Sequence, residues 1–414
     1  MSLYMDILIR IITIIAIALT STVLLYALWL GFISLTGGAS PEKKYPEALP
    51  RTFAVIIAAR NEEKVIAQLI DSLKKQNYSQ EFYRIFVVAH NCTDNTAQIA
   101  ENAGAEVFVH NGENEVKTDA LSFALCEIEK KYQDFFEYIA VFDADALVHE
   151  NFLREMNNVL SATDADCAAG YYSSKNFYKN TVTKLSGILY HVLMHENSIA
   201  DDKLGLPVNI YGSGYAVKFK WGKLFDKAKT MVGDFEFSCL MVLEKAKLVA
   251  APNAVIYAEM PEKLPEALSQ RLRWSYGDTQ CYRKYRRPMR RAIFTHGISA
   301  FKQYMDLIMN PFVSLTAVGM ILWLVIAILR GTGLSLVIWI AAALFVTYTV
   351  IEFMIFRTLK KENILIRKTF GAVLLMPFWA LLSACCAVIS FFIKDLKWKE
   401  TVRHSEKRID ELSN

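Results

Sequence analysis

Four long apolar runs restrict the folds open to this chain. Residues 7–35 form one run, interrupted only by Arg10, and three more follow late in the chain, at 311–329, 334–356 and 370–393. Each is about 20 residues or longer, the length an α-helix needs to cross the hydrocarbon core of a bilayer. The first run exceeds a signal-peptide core, and no small-residue cleavage motif follows it. We therefore predict four membrane spans.

The apolar runs divide the chain into five parts. We expect an N-terminal span, a polar domain, a basic interfacial segment, a group of three spans and a polar tail, at 1–42, 43–280, 281–310, 311–393 and 394–414 respectively. The basic run RKYRRPMRR at 283–291 is most simply a lipid-surface anchor.

Overall composition excludes some partners. The net charge of +4 is small for a chain of 414 residues, so charge does not indicate a nucleic-acid partner. The seven cysteines contain no C-x-x-C pair, which favours reduced, packed thiols over a disulfide framework.

The distribution of lysine and arginine predicts the orientation of the polar domain. Lys43, Lys44 and Arg51 stand at its start and the run at 283–291 at its end, so we place this domain in the cytoplasm. The tail is also basic, although four spans would put it outside. Either the tail is outside, or the last apolar segment, broken at Pro377, dips into the membrane and returns.

Strands and helices alternate in the first half of the polar domain. Apolar runs typical of buried strands alternate with segments of helical spacing, at 53–59, 60–76, 84–89, 93–104, 105–110, 116–131 and 138–142. Short links join them. This order predicts a parallel, doubly wound α/β sheet of the Rossmann-like kind, which binds ligands beyond the carboxyl ends of its strands.

Two carboxylates follow the last of these strands directly. Asp143 and Asp145 repel each other at the end of a buried strand, and a divalent cation relieves that repulsion. Carboxylate oxygens suit Mg²⁺ or Mn²⁺, which proteins often share with substrate phosphates. The alternative is a solvated turn in which Asp145 caps the next helix.

Five motifs occur in a distinctive order: IIAARNEE, HNCTDNT, VFDAD, GDFEFSCL and QRLRW. Together they resemble the membrane-bound GT-A glycosyltransferases of family 2, a group that includes cellulose, hyaluronan and poly-N-acetylglucosamine synthases. The resemblance covers about residues 51–291 and the flanking spans. It implies a cytosolic GT-A domain with transmembrane helices at both ends. It also implies inverting, metal-dependent transfer of a sugar from a nucleotide-diphosphate sugar, usually a UDP-sugar, to a hydroxyl.

The resemblance assigns site residues on the donor side. Asp143 and Asp145 would hold the metal. The residues carried over to nucleotide and donor binding are Ala58, Glu62, His90, Asn91, Lys117, Ala144 and Arg273. Two of these matches depart from the family pattern: Val116 replaces a glycine before Lys117, and His90 replaces an aspartate, which puts the identity of the nucleotide in doubt.

On the acceptor side, the resemblance makes Asp234 the general base, with Gly233 in place of the usual glutamate before it. A helix N-cap is the structural alternative for Asp234. Gln270, Trp274 and Ser213 are the residues expected near the acceptor. The alternative for the QRLRW segment is an interfacial tryptophan anchor whose arginines face lipid phosphates.

Three functions remain open. The first is a processive polysaccharide synthase, and the second is a non-processive transferase that glycosylates a membrane lipid or a lipid-linked glycan. The third is a transporter or receptor with a nucleotide-binding domain. The expected partners are a nucleotide sugar, a glycan or lipid acceptor and the lipid bilayer, but no nucleic acid. The expected location is a bacterial plasma membrane, crossed several times, with the catalytic domain in the cytoplasm.

Overall fold

A computed structural model describes residues 3–39, 43–112, 116–330, 349, 352–396 and 409–411. Its strands are β1 (Phe53–Ala59), β2 (Tyr83–His90), β3 (Glu106–His110), β4 (Tyr138–Asp143), β5 (Leu147–Val148), β6 (Cys167–Ser174), β7 (Tyr215–Lys218) and β8 (Leu248–Ala258). The helices that precede β4 in the chain are α1 (Leu3–Ala39), α2 (Ile66–Lys74), α3 (Thr96–Asn102) and α4 (Lys117–Tyr132). Those that follow are α5 (Phe152–Thr163), α6 (Thr181–Val192), α7 (Ala200–Lys203), α8 (Gly233–Leu243), α9 (Leu264–His296), α10 (Ile298–Leu307), α11 (Met309–Arg330), α12 (352–361) and α13 (Ile366–Ser390).

All eight strands form one mixed sheet, in the order β3-β2-β1-β4-β7-β6-β8-β5. The first four strands are parallel, which confirms the predicted Rossmann-like half. The expectation of a wholly parallel sheet is wrong beyond β4, because β7 runs antiparallel to both of its neighbours and β5 runs antiparallel to β8. The carboxyl end of β4 therefore lies beside the start of β7, and the loop before β7 reaches the predicted metal aspartates.

The core has two layers, one on each face of the sheet. Alternate residues of β1 enter opposite layers: Phe53, Val55 and Ile57 pack on one side, and Ala54 and Ile56 on the other. Helices α2 and α5 cover the first face, and α4, α8 and α9 cover the second. Because both faces are covered, the strands read as continuous apolar runs, which is why their positions could be predicted.

Long apolar helices coincide with two of the predicted spans. α1 contains the run at 7–35 and α11 contains the run at 311–329, and the two helices pack against each other. The outward face of α1 is apolar, with Ile14, Leu25 and Leu35 more than 60% exposed. The predicted span at 334–356 lies mostly outside the described residues.

α13 is the helix within the described residues that is long and apolar enough to cross a membrane. Pro377 lies inside this continuous helix, so the predicted break at that residue is wrong. A proline removes one backbone donor, and a helix supported by neighbours tolerates that loss.

Both ends of α13 contact the domain that carries the sheet. Just before the helix, the Leu365 N–H donates to the Tyr178 hydroxyl at 3.3 Å. At its other end, the hydroxyls of Ser390 and Thr279 lie 2.8 Å apart, and Arg283 Nη2 donates to the Phe391 carbonyl at 3.0 Å. α13 therefore lies along α9.

The outward face of α13 is apolar as well. Its exposed residues recur every three or four positions, at Phe370, Leu374, Phe378, Leu381, Cys385 and Ile389. α13 therefore has one face on the protein domain and an exposed apolar stripe on the opposite face.

A buried charged network joins α10 to the segment that leads to the site. Lys302, which is 2% exposed, lies 2.6 Å from Asp201 and 2.7 Å from Asp306. Asn209 donates from Nδ2 to Asp306 at 2.6 Å and accepts at Oδ1 from Gln303 at 3.0 Å. Because Asn209 is close in sequence to the loop before β7, this network fixes the start of that loop.

Replacing Lys302 by alanine should destabilise the protein strongly. The change leaves the buried Asp201 and the partly buried Asp306 without their shared cation, and breaking a buried ion pair in this way costs about 3–5 kcal/mol. Thermal unfolding in detergent should show a much lower midpoint for Lys302→Ala than for Lys223→Ala, which removes an exposed lysine. Equal midpoints for the two variants would show that the network contributes little to stability.

Candidate functional site

Asp143 ends β4 and is held by two other segments of the chain, the start of α4 and the loop before β7. Lys117 Nζ, in the first turn of α4, lies 2.5 Å from Asp143 Oδ1 and donates to the Gly212 carbonyl at 2.7 Å. The Asp143 backbone N–H donates to Ser213 Oγ at 2.9 Å. Ser213, predicted near the acceptor, is buried and contacts this aspartate, so in this structure it positions Asp143.

Gly212 lies between two carboxylates. Its φ is +75°, in the left-handed region, and a Cβ at this position would lie 3.2 Å from Asp143 Oδ2 and 3.9 Å from Asp234 Oδ2. A side chain would therefore enter the space that the two carboxylates share. The loop before β7 thus brings together aspartates that are 91 residues apart in the sequence.

The carboxylate of Asp145 acts on the same buried tyrosine as those of Asp143 and Asp234. Tyr172 is buried and stacks on Tyr190 with ring centroids 5.2 Å apart. Burial raises the pKa of the Tyr172 hydroxyl far above its usual value, and the charges of Asp143, Asp145 and Asp234 raise that pKa further. Carboxylate oxygens are the ligands that Mg²⁺ and Mn²⁺ prefer, so the types of side chain present suit the predicted metal.

Asp234 lies in the first turn of α8, where Val232 holds the N-cap position. Its side chain is therefore not the N-cap that the structural alternative required. Burial raises the pKa of Asp234, the charge of Lys117 opposes that shift and the charge of Asp143 adds to it. A carboxylate whose pKa is raised is a better proton acceptor, which suits a general base.

Asp278 belongs to the same group of charges and was not predicted from the sequence. Burial, followed by the charge of Asp234, raises the pKa of Asp278 to about 7. The preceding Gly277 permits this approach, since a Cβ there would lie 2.9 Å from the Val232 backbone nitrogen. The sequence contained one signal: Asp278 follows Trp274 by four residues, which places both on one face of α9.

The QRLRW motif lies on α9, between the carboxylates and α13. The Arg271 guanidinium lies 5.1 Å from the Trp274 ring centroid and 5.4 Å from that of Trp379 on α13. Arg271 is 8% exposed, and burial lowers its pKa to about 10. Trp274 meets Tyr190 edge-on at 5.9 Å, so its ring lies one aromatic residue away from Tyr172.

Gln270 and Arg273 of the motif are partly buried. Burial raises the pKa of the Tyr190 hydroxyl, and the positive charges of Arg271 and, to a smaller extent, Arg273 both act on this hydroxyl and oppose that rise. Gln270 stands one turn before Trp274 on the same helix. The donor role of Arg273 and the acceptor roles of Gln270 and Trp274 stay predictions.

The predicted nucleotide residues line the carboxyl edge of the parallel strands. Ala58 is the register partner of Asp143, and Ala144 is buried beside it. Asn91 adopts a left-handed backbone with φ of 52° and donates from Nδ2 to the Gly112 carbonyl at 3.0 Å.

The remaining two nucleotide residues lie at the same edge. The Glu62 backbone N–H donates to the Thr96 hydroxyl at 2.8 Å, which joins the loops after β1 and β2. His90 is buried at the end of β2, and its ring stacks on His110 with centroids 5.2 Å apart.

A Rossmann-like sheet with carboxylates gathered at its carboxyl edge defines a nucleotide-sugar enzyme of the GT-A type. The chain belongs to the family described as "Glycosyltransferase like family 2", whose model matches residues 50–277. This membership supports the predicted GT-A domain and shows that the chain is a glycosyltransferase. The match does not support the narrower resemblance to cellulose and hyaluronan synthases.

Individual relatives agree with the family. The chain is 33% identical over 119 residues to the low-salt glycan biosynthesis hexosyltransferase Agl6 of Haloferax volcanii, and 46% identical over 54 residues to protein RfbJ of Shigella flexneri. These matches cover 29% and 13% of this chain, and only 27% and 40% of the two relatives.

A solved structure shares the fold over nearly the whole chain. It is the mannosyltransferase PcManGT from Pyrobaculum calidifontis, in complex with GDP-Man and Mn²⁺. The TM-score is 0.60 at 16% sequence identity, and the match covers 91% of this chain and 99% of the other.

The raised pKa of Asp278 predicts a pH-dependent effect on stability. The native carboxyl titrates near pH 7, whereas the unfolded one titrates near its ordinary value of 3.8. Between these values the native state binds more protons, so this group makes the protein less stable as the pH rises toward 7. Asp278→Asn removes that loss and should raise the melting temperature relative to the unmodified protein at pH 8 but not at pH 5.

The measurement is thermal unfolding in metal-free buffer with EDTA. The control is Asp226→Asn, which neutralises an exposed aspartate whose side chain is 79% accessible. A difference between Asp278→Asn and the unmodified protein that is the same at both pH values would contradict the assignment.

Proposed function

We propose that this protein transfers a hexose from a nucleotide-diphosphate sugar to a hydroxyl of an acceptor at the membrane, with inversion at the anomeric carbon. The observation that supports this proposal most strongly is the approach of Asp143 and Asp234 to either side of Gly212. Asp143 would act on the donor side, and Asp234 would act on the acceptor side. The space between them, which a glycine leaves open, is where the reacting sugar fits.

On the donor side, Asp143 and Asp145 would hold Mg²⁺ or Mn²⁺, which supplies positive charge to the departing diphosphate. Lys117 contacts Asp143 in this structure and is close enough to bind a diphosphate oxygen. Arg273 adds a planar guanidinium suited to phosphate oxygens. These side chains stabilise the negative charge that develops as the glycosidic bond breaks.

On the acceptor side, Asp234 accepts the proton of the attacking hydroxyl. The hydroxyl oxygen forms a bond to the anomeric carbon as the bond from that carbon to the diphosphate breaks on the opposite face. A single displacement of this kind inverts the anomeric configuration. The neighbouring Asp278 raises the proton affinity of this region, because two buried carboxylates resist being charged together.

The base and ribose would lie along Ala58, Glu62, His90 and Asn91. We expect uridine, as the family resemblance implies. The histidine at position 90 leaves guanosine as the second candidate, and PcManGT was solved with GDP-Man. Competition between UDP and GDP for the donor site distinguishes the two bases.

The acceptor would be a membrane lipid or lipid-linked glycan. The support is the aromatic path from the carboxylates through Tyr190 and Trp274 to Arg271 and Trp379 on α13. This path ends at a helix whose outward face is apolar. A processive polysaccharide synthase is the second candidate, supported by the QRLRW motif.

We also propose how the chain is oriented. α1, α11 and the apolar run predicted at 334–356 cross the membrane, and α13 lies in the interface with both ends at the catalytic domain. Asp410 in the tail pairs with Lys75, just after α2, at 2.5 Å, which supports a tail on the cytoplasmic side. This arrangement keeps the basic residues of the tail inside, so the charge distribution no longer conflicts with the number of spans.

Asp234→Asn should lower turnover strongly and leave the donor KM nearly unchanged. General bases contribute roughly 10²–10⁴-fold to the rate. The assay uses membranes containing the protein, radiolabelled UDP- and GDP-hexoses and extracted lipid acceptors, with the product separated by size. Asp226→Asn is the matched control. Turnover within a few-fold of the control would remove Asp234 from the role of base, and transfer from no donor would reject the proposed function.

Single cysteines in a background without native cysteines test the orientation. With an impermeant thiol reagent on intact cells, Ser2→Cys should react, whereas Lys130→Cys and Ser413→Cys should be protected and react only after lysis. Labelling of Lys130→Cys in intact cells would reject the cytoplasmic domain. If Ser413→Cys reacts in intact cells while Lys130→Cys stays protected, α13 crosses the membrane.

A further inference from the structure

Two histidines and an aspartate form a cluster at the far side of the carboxyl edge of the sheet. His90 ends β2, His110 ends β3, and Asp119 lies in the first turn of α4. One potential ligand atom from each lies within 4.8 Å of the others. Asp119 Oδ2 is 3.1 Å from His110 Nε2 and 4.0 Å from His90 Nε2.

The surroundings of the cluster orient these atoms. The second oxygen of Asp119, Oδ1, lies 3.5 Å from Lys229 Nζ, which leaves Oδ2 directed at the histidines. The ring of His110 stacks on Phe123 with centroids 4.1 Å apart. In metal sites, the side chains that bind the metal are usually oriented by neighbouring groups that contact the rest of the side chain.

We propose that His90, His110 and Asp119 bind a Zn²⁺-class ion. Two imidazole nitrogens and one carboxylate oxygen are a common ligand set for zinc, whereas Mg²⁺ prefers oxygen alone. Bonds of about 2.0–2.2 Å in a tetrahedral arrangement separate the ligand atoms by roughly 3.3 Å. His110 and Asp119 already have this separation. His90 lies 4.0 Å from Asp119 and within 4.8 Å of His110, so its ring must move by up to about 1.5 Å to complete the site.

This ion site is distinct from the one at Asp143 and Asp145. β2 and β4 lie on opposite sides of β1, so their ends are about 10 Å apart at a strand spacing of about 4.8 Å. Ions that act together in one reaction lie about 3.5–4 Å apart. The zinc site stands on its own geometry and does not rest on the proposed transfer reaction.

A bound ion also has a consequence for regulation. His90 belongs to the edge proposed for the nucleotide base, so a zinc ion there and the donor would exclude each other. Zinc must also displace protons from the histidines, so its affinity falls as the pH falls.

Cobalt spectroscopy of the full-length protein in detergent tests the site. Co²⁺ in a tetrahedral site with nitrogen ligands absorbs visible light strongly, whereas an octahedral site of oxygen ligands absorbs weakly. One equivalent of Co²⁺ should give the strong band, and Zn²⁺ should remove it. His110→Ala and the isosteric Asp119→Asn should each abolish the band. They should also weaken Zn²⁺ binding by at least the roughly 10–100-fold that loss of a supporting residue costs.

Two controls separate this site from other ligands. His149→Ala removes a histidine of the same domain outside the cluster, and Asp145→Asn alters the other carboxylate site; both should retain the band. The proposal is overturned if one equivalent of Co²⁺ gives no strong band, or if the band persists in Asp119→Asn. Because Asp119→Asn preserves the side-chain shape, it decides the question even if His110→Ala fails to fold.

Discussion

Repulsion among carboxylates at one edge of the sheet is the constraint on which this site depends. Asp143, Asp145 and Asp234 all act on one buried tyrosine, and in the described structure the ammonium of Lys117 is held against the first of them. Lys117 also binds the Gly212 carbonyl, so one cation joins β4, α4 and the loop before β7. Asp145 is buried and Asp143 and Asp234 are partly buried, so water screens their mutual repulsion incompletely, and an added divalent cation lowers its cost. The same negative charge therefore favours a metal ion, which in turn attracts a diphosphate.

The sequence predicted those features that depend on local patterns. β1 to β4 are apolar on both faces, so their runs of valine, isoleucine and alanine identified them, and the two aspartates followed directly from the end of β4. The antiparallel β7 has only four residues, too few for a pattern, so the mixed sheet could not be predicted. Asp278 could not be paired with Asp234 because that contact requires α9 to approach the start of α8 across Gly277, a matter of packing between distant segments.

The apolar run at 370–393 shows why hydropathy alone does not fix topology. Hydropathy measures how readily a helix leaves water. A high value is compatible with a helix that crosses the membrane core and with one that lies at the membrane interface. What distinguishes α13 is its set of polar contacts: Ser390 with Thr279, and the Phe391 carbonyl with Arg283. Partners at both ends hold the helix along α9. In the proposed arrangement these contacts keep the basic tail in the cytoplasm, which removes its conflict with four spans.

The position of α13 bears on the chemistry of the acceptor. A soluble acceptor needs no path from the carboxylates to an apolar surface, yet Tyr172, Tyr190 and Trp274 form one, and Arg271 continues it to Trp379. Burying a guanidinium between two indoles costs hydration, which cation–π contacts partly offset. This contact couples the helix bearing the QRLRW motif to α13, whose outward face is apolar. An acceptor anchored in lipid would approach the site along these two helices, with its hydroxyl presented to Asp234 from the side opposite the donor.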